Sequence, residues 1–191
     1  MILGIDTGTA TLGWSLVDER TCRFVDLGTV FTEQLDENVT LDQARRASIG
    51  ARVIAEKAQG CSMVVVERLS FPGGKPCKIC KRRSGPKQVL PIALSWGVIV
   101  GIVSMLNPRP RLLTIAPQRW QRMVQPNAGR KVDYDGLARD AAKFILHRHP
   151  AVAPALLMLP KSKRSHAIDA SMIALVGALQ PNACDEVSAA A

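Results

Sequence analysis

Four acidic or imidazole side chains occur in contexts that predict one shared site. Asp6 follows a short apolar run near the N-terminus, and Glu67 follows a β-branched run in the middle of the chain. His166 and Asp169 are three residues apart, a spacing that places both on one face of a helix. If the two runs are neighbouring strands and the helix packs across them, three carboxylates and one imidazole converge. We interpret these residues as the candidate catalytic site.

The donor atoms of this set indicate a divalent metal ion. Carboxylate oxygens are preferred by Mg²⁺ and Mn²⁺, and an imidazole is tolerated beside them. Two such ions can hydrolyse a phosphodiester, because one activates water while the other stabilises the leaving oxygen. Each residue alone would be ordinary, since an Asp that ends a strand is usually a turn residue and a single helical His is usually structural. The interpretation therefore depends on their joint placement, with Asp6, Glu67, His166 and Asp169 as the metal ligands.

The hydropathy pattern predicts an α/β domain that would position these residues. Strands are predicted at residues 2–5, 12–17, 24–31, 63–66 and 111–115, and helices at 40–60, 89–106, 117–124, 135–149 and 165–179. Thr40 is the predicted N-cap of the first helix. The core face of the last helix is predicted to contain Ile168, Met172, Leu175, Val176 and Leu179. We expect residues 1–180 to form one domain with a basic loop at 71–88, and residues 181–191 to form a flexible tail.

Composition limits the class of protein. The chain has 191 residues, of which 47% are hydrophobic and 21% charged, enough for one sizeable core and unlike a disordered or collagen-like chain. Its five cysteines are too few and too scattered for a secreted disulfide scaffold. The N-terminus lacks the basic and apolar segments of a signal peptide. We therefore expect a cytoplasmic protein with reduced thiols.

The basic residues are concentrated in one part of the chain. Lys and Arg outnumber Asp and Glu by 25 to 16, a net charge of +9, and no acidic residue occurs between Glu67 and Asp133. Such an excess predicts a polyanionic partner, and a solvated face would normally mix the two signs of charge. The candidate phosphate-binding residues are Lys75, Lys78, Lys81, Arg82, Arg83, Lys87, Arg119, Arg122, Arg130 and Lys131.

Residues 88–108 carry no charge and are long and apolar enough to suggest a membrane span. Pro91, Ser95 and Ser104 interrupt the segment, and basic residues flank both of its ends. A helix buried between the sheet and a partner subunit explains the same apolarity, with Gly97 and Gly101 allowing two backbones to approach closely. We expect this second arrangement and no membrane partner.

The ordered motifs resemble the RuvC family of Holliday-junction resolvases, within the RNase H-like superfamily. They are Ile-Leu-Gly-Ile-Asp6-Thr-Gly with Leu-Gly-Trp14 after it, Val-Val-Val-Glu67, and His166-Ala-Ile-Asp169-Ala, in that order over nearly the whole chain. The resemblance implies a mixed five-stranded sheet flanked by helices, a homodimer, and Mg²⁺-dependent paired incisions of four-way DNA junctions. Asp6, Glu67 and Asp169 match three catalytic carboxylates, and His166 matches a position where members carry His or Asp.

The resemblance also implies roles for two other segments. The segment from Gly97 to Val103 resembles the helix through which subunits of the family dimerise. Family members carry an aromatic residue shortly after the strand-end Glu that inserts at the junction centre, and Phe71 is the candidate here. The pair Cys77 and Cys80 departs from bacterial members and suggests a phage or mobile-element type. One CxxC is half of a zinc site, so two copies in a dimer would complete a Cys₄ site for Zn²⁺; incidental thiols in a basic loop are the alternative.

Three other functions stay open at the level of sequence. An actin-like ATPase would use the turn after Asp6 to bind phosphate, but such proteins need two of these domains, and 191 residues hold one. A non-catalytic DNA-binding protein would keep the basic stretch but would not need the four candidate ligands. A nuclease of the same superfamily that acts on flap, branched or single-stranded DNA is the alternative to a junction resolvase.

Overall fold

A computed structural model describes residues 1–8, 10–35, 39–69, 86–125 and 134–187 of the chain. Its strands are β1 (Ile2–Asp6), β2 (Thr11–Val17), β3 (Phe24–Phe31), β4 (Met63–Glu67), β5 (Arg111–Ile115) and β6 (Asp185–Glu186). Its helices are α1 (Val39–Ala58), α2 (Pro86–Ser104), α3 (Pro117–Val124), α4 (Tyr134–Arg148), α5 (Ala153–Met158) and α6 (Lys161–Leu179). Two single 3₁₀ turns occur at Pro150–Val152 and Pro181–Ala183.

The strands form one mixed sheet in the order β3-β2-β1-β4-β5-β6. β1, β4 and β5 are parallel, whereas β2, β3 and β6 each pair antiparallel with a neighbour. Ile5 of β1 pairs with Val66 of β4, so the residues that follow them, Asp6 and Glu67, leave the sheet side by side. The predicted mixed sheet flanked by helices is confirmed, with six strands among the described residues where five were expected.

An apolar layer covers each face of the sheet. The layer under α1 and α2 includes Leu3, Ile5, Val64, Val66, Ile54 and Ile99. The layer under α4 and α6 includes Ile2, Val65, Leu113, Ile145, Met172 and Ile173. Alternate residues of β1 and β4 therefore enter opposite layers, as the two-residue period of a strand requires.

Several predicted boundaries differ from the structure. The first helix begins at Val39, so Thr40 lies inside its first turn and is not the N-cap. α6 begins at Lys161, four residues before its predicted start, and the short helix α5 was not predicted. The prediction of a buried Leu179 was wrong, because its side chain is 53% exposed. Gly177 already lies above Ile2, the first residue of β1, so Leu179 projects beyond the sheet.

α2 packs one face on α1 and leaves the other face exposed. Ile99 and Val103 are buried, whereas Leu90 is 68% exposed. A Cβ added to Gly97 or Gly101 would meet no neighbouring element of the described chain within 4 Å. The close approach of a second backbone at these glycines was predicted between two subunits, and it stays a prediction. None of the helices in the described part of the chain is long and apolar enough to cross a membrane.

Two residues of the segment predicted to be a flexible tail belong to the sheet. Asp185 and Glu186 form β6, and they pair with Thr114 and Leu113 of β5. Their carboxylates also form ion pairs with basic residues described below. The acidic residues at this position therefore attach the C-terminal segment to the edge of the sheet.

Candidate active site

Asp6 and Glu67 project from the same face of the sheet. In β1, Ile2 and Gly4 face α6, and Asp6 follows at the same two-residue interval. In β4, Val65 faces α6, and Glu67 follows two residues later. Because the two strands are adjacent and parallel, both carboxyl groups lie at one edge of the sheet on the side covered by α6.

Glycines allow α6 to approach this edge closely. A Cβ added to Gly4 would collide with the backbone oxygen of Ala170, and one added to Gly13 would collide with the backbone oxygen of His166. A larger residue at either position would push the helix away from the sheet. The contact at Gly13 fixes the height of His166 above the sheet, and Asp169 follows about one turn later.

His166 forms a short hydrogen bond with the first carboxylate. Its Nδ1 atom lies 2.6 Å from Oδ2 of Asp6. The bond to Asp6 raises the pKa of His166, while burial and the nearby ammonium of Lys163 oppose the rise. The Asp6 carboxylate is therefore stabilised by an imidazole that readily carries a proton.

The other two carboxyl groups are buried beside the first. Burial and the charge of Asp6 raise the pKa of Glu67 to about 7, and a side-chain hydrogen bond to Asp6 adds to the rise. Burial, followed by the charges of Asp6 and Glu67, raises the pKa of Asp169 to about 8. The structure thus brings all four predicted residues into one interacting cluster, whose groups titrate as a set.

The donor set of this cluster fits a hard divalent cation, because positive charge would relieve the repulsion among three carboxyl groups. Within the described residues, no three His, Cys, Asp or Glu side chains are arranged around a common point as metal ligands. Oδ2 of Asp6 is engaged by His166, and Oε1 of Glu67 by Trp120. The four metal ligands therefore stay a prediction.

Two tryptophans that the sequence analysis missed hold Glu67. Nε1 of Trp120 donates a 2.8 Å hydrogen bond to the carboxyl oxygen Oε1, and this bond acts to lower the pKa of Glu67. Nε1 of Trp96 donates a 3.1 Å hydrogen bond to the backbone oxygen of the same residue. The sequence signal was weak: Pro117 opens α3 directly after β5, and a buried indole N–H in that helix needs an acceptor.

The candidate DNA-binding residues are only partly described. Arg119 and Arg122 are exposed on α3, on either side of Trp120 in the sequence. Lys87 lies in α2, but its side chain is outside the described part of the chain. The other candidates lie outside the described residues, and they are Phe71, Lys75, Lys78, Lys81, Arg82, Arg83, Arg130 and Lys131, together with Cys77 and Cys80 of the predicted zinc half-site.

Two arginines of the acid-free stretch are paired with β6. Arg68 contacts Asp185 at 2.8 Å, and Arg111 contacts Glu186 at 3.4 Å. The basic stretch is therefore less uniformly open to phosphate binding than the sequence suggests. Lys163, which is outside this stretch, lies close to the candidate site. Its ammonium group is 3.4 Å from the centre of the exposed Phe31 ring, and its charge acts on the pKa of His166.

Comparison of sequences finds no relative, since no family model and no curated protein matches the chain. Comparison of structures finds chains of similar fold. A structure described as Thermus thermophilus RuvC in complex with Holliday junction substrate matches with a TM-score of 0.65 and 15% identity, over 97% of this chain and 98% of that one. The chain has the fold of RuvC. A second Thermus thermophilus RuvC structure matches with a TM-score of 0.63 and 15% identity, over 97% of this chain and 99% of the other. The RuvC likeness confirms the predicted RNase H-like fold.

Proposed function

We propose that the protein is a divalent-metal-dependent endonuclease that cuts four-way DNA junctions by paired, symmetric incisions. The observation that carries the proposal is the cluster of Asp6, Glu67, His166 and Asp169 at one edge of a RuvC-like sheet. The matching RuvC structure with a Holliday junction supports branched DNA as the substrate class. The net charge of +9 supports a nucleic acid as the partner.

Each residue of the cluster has a proposed role. Asp6, Glu67, His166 and Asp169 would hold Mg²⁺, with Mn²⁺ as a substitute, and the bound ions would activate water and stabilise the leaving oxygen. Asp6 is central, because it contacts His166 and its charge raises the pKa of both Glu67 and Asp169. His166 holds a proton at Nδ1 against the Asp6 carboxylate, so it can orient that ligand even where it does not itself bind the metal.

A homodimer would explain a preference for junctions. A four-way junction has near two-fold symmetry, so two active sites related by a two-fold axis can cut opposing strands symmetrically. The exposed face of α2 supports such a dimer, because it presents Leu90, Leu94, Gly97 and Gly101 to solvent. These residues form an uncharged stripe on one side of the helix.

The test is cleavage of labelled DNA substrates by purified protein with Mg²⁺. The panel contains a four-way junction, a flap, a duplex and a single strand, so it also separates a resolvase from other nucleases of the superfamily. We expect paired cuts in the junction, and complete loss of cleavage in Asp6→Asn, Glu67→Gln and Asp169→Asn with junction binding retained. Asp18→Asn is the matched control, because it removes a carboxylate from the exposed turn that follows β2. This turn lies at the end of β2 that is remote from Asp6, which pairs with Gly13.

Two results would contradict the proposal. Wild-type rates in any of the three cluster variants would refute the assignment of catalytic residues. Equal cleavage of all four substrates would refute junction selectivity. His166→Asp is expected to keep partial activity since a carboxylate can also ligate, and its total loss of activity would assign His166 a role as base or orienting group.

A further inference from the structure

The orientation of the Glu67 carboxyl group needs an external constraint. The terminal torsion of a glutamate is broad and roughly two-fold, so the carboxyl plane turns easily unless a donor holds it. Glu67 lies at the end of β4, where the backbone fixes its Cα but not its carboxyl group. A ligand that turns freely loses entropy on binding a metal, and this loss weakens the site.

Trp120 supplies that constraint from a rigid position. Its side chain is 2% exposed and belongs to the apolar layer under α4 and α6. Its Nε1–H group donates to Oε1 of Glu67 at 2.8 Å, a good length for a hydrogen bond to a carboxyl oxygen. Because an indole N–H that is buried without an acceptor is costly, the bond fixes both partners.

The carboxyl group of Glu67 is thereby held from one side. Trp120 contacts it from α3, and Asp6, whose charge raises the pKa of this carboxyl group, lies at the end of the adjacent strand β1. Rotation of the carboxyl plane would break the contact with Trp120. The group is thus presented toward the other members of the cluster before any cation arrives.

Trp96 provides a comparison, because it also forms a hydrogen bond with Glu67. It also donates through Nε1, at 3.1 Å, but to the backbone oxygen of Glu67. Loss of this bond would disturb the chain at Glu67 without freeing its carboxyl group. The two tryptophans therefore separate orientation of the side chain from support of the strand.

We propose that Trp120 is a positioning residue that orients the Glu67 carboxylate for binding of a divalent cation. This inference rests on the proposed function, since it requires Glu67 to be a metal ligand. Trp120 acts through Glu67 and does not contact the cation or the DNA. Outer-shell partners of this kind typically contribute about 10–100-fold in metal affinity.

The test measures Mn²⁺ affinity by calorimetry on metal-free protein, without any cleavage assay. Trp120→Phe keeps an aromatic ring but removes the N–H, and its dissociation constant for Mn²⁺ should rise about 10-fold or more. Trp96→Phe makes the same chemical change beside the same residue, and its dissociation constant should rise less than about 3-fold, because the carboxyl group keeps its partner.

A spectroscopic measurement covers the case in which Trp120→Phe does not fold. The chain has three tryptophans, so a ¹⁵N–¹H spectrum contains three indole N–H signals that single variants can assign. On titration of the wild-type protein with diamagnetic Mg²⁺, the Trp120 signal should shift more than the other two. Glu67→Gln should also shift the Trp120 signal most.

Three outcomes would overturn the inference, and one of them would also overturn the proposed function. Equal Mn²⁺ affinity in wild type and Trp120→Phe would overturn it while leaving the proposed function intact. An unmoved Trp120 signal in both Mg²⁺-saturated wild type and Glu67→Gln would have the same meaning. Absence of Mn²⁺ binding by the wild type at millimolar concentration would overturn the inference and the metal-dependent function together.

Discussion

Asp6 is the residue on which the other members of the cluster depend. It hydrogen-bonds with His166, and its charge raises the pKa of Glu67 and of Asp169. Near neutral pH, Glu67 and Asp169 therefore hold protons for a large part of the time. A cation that binds these oxygens must displace those protons, because only deprotonated carboxylates are good ligands.

Metal affinity should consequently rise with pH. With pKa values of about 7 for Glu67 and about 8 for Asp169, the two carboxyl groups together should contribute a slope of log affinity against pH that approaches ~2 below pH 6.5 and falls toward zero above pH 8.5. A proton displaced from His166 on binding would add to this slope. Calorimetry with Mg²⁺ in buffers of different ionisation enthalpy would measure both the affinity and the protons released. An affinity that is constant from pH 6 to 9 would show that neither carboxyl group gives up a proton to the metal.

The four residues of the cluster could be predicted from the sequence because the signal for each of them is local. An Asp or Glu that ends an apolar run, and a His and an Asp three positions apart, can each be read from a few neighbouring residues. Trp120 could not be predicted in the same way, since its acceptor is 53 residues earlier in the chain. The choice of acceptor depends on the adjacency of β4 and β5, which the sequence does not state.

Between elements, the contact of α6 with β1 and β2 decides whether the cluster exists. Gly4 and Gly13 lie directly under backbone atoms of the helix. The carboxyl groups from the sheet and the two residues from α6 therefore meet only when both close approaches are made. The Leu-Gly-Trp motif around Gly13, which is part of the resemblance to the RuvC family, therefore also has a packing role.

Gly13→Ala should damage stability and metal binding together. The added methyl group would collide with the backbone oxygen of His166, so the helix must move, and overpacking of this kind costs about 1–3 kcal/mol. Chemical denaturation and Mn²⁺ calorimetry would measure the two effects. Unchanged stability in Gly13→Ala would show that α6 is not seated as described.

Gly50→Ala is the matched control for this prediction. Gly50 lies inside α1, and a Cβ there would make an ordinary 3.5 Å contact with Leu12 Cδ1. Alanine in a helix interior is favoured over glycine by about 0.5–1 kcal/mol. The control variant should therefore keep or raise stability and bind Mn²⁺ as the wild type does.

The elements themselves were largely predictable, but their ends were not. Periodicity located α6, but it predicted neither the start of the helix at Lys161 nor the exposure of Leu179 at its end. The helix α5 is only six residues long and carries too short a pattern to detect. Hydrophobic periodicity shows which face of a helix is apolar and leaves open where that face stops having a partner.

For the whole molecule, the exposed face of α2 predicts self-association. Gly101→Arg should convert a dimer to monomers in light scattering, and it should abolish paired cutting while leaving each active site intact. Aggregation is an expected side effect, because Leu90 and Leu94 remain exposed on the freed surface. A wild type that is monomeric and still makes paired, symmetric cuts would refute this arrangement.

The basic residues between Glu67 and Asp133 should make DNA binding strongly dependent on salt concentration. Each Lys or Arg that neutralises a phosphate contributes about 0.9 to the slope of log affinity against log salt. Replacing Arg119, Arg122, Arg130 and Lys131 with Ala should thus reduce the slope by about 3 to 4 and weaken binding to junction and duplex alike. An unchanged slope would place the DNA-binding surface elsewhere on the molecule.

The charge pattern illustrates what composition could and could not predict for the molecule as a whole. An excess of basic residues was evident from counting, and it is consistent with a nucleic acid partner. Counting did not show that Asp185 and Glu186 return to pair with Arg68 and Arg111, because such pairs form only in the folded sheet. The segment predicted to be a flexible tail therefore supplies the two carboxylates that pair with these arginines.

The distribution of the cluster along the chain has a consequence for protein synthesis. Asp6 lies in β1, whereas its partner His166 lies 160 residues later, in α6. A growing chain that has not yet reached α6 holds only Asp6 and Glu67 of the cluster, and its sheet lacks the helix that covers that face. Under the proposed function, such a chain would have no complete cutting centre, and cleavage would begin only after α6 has been synthesised and packed on the sheet.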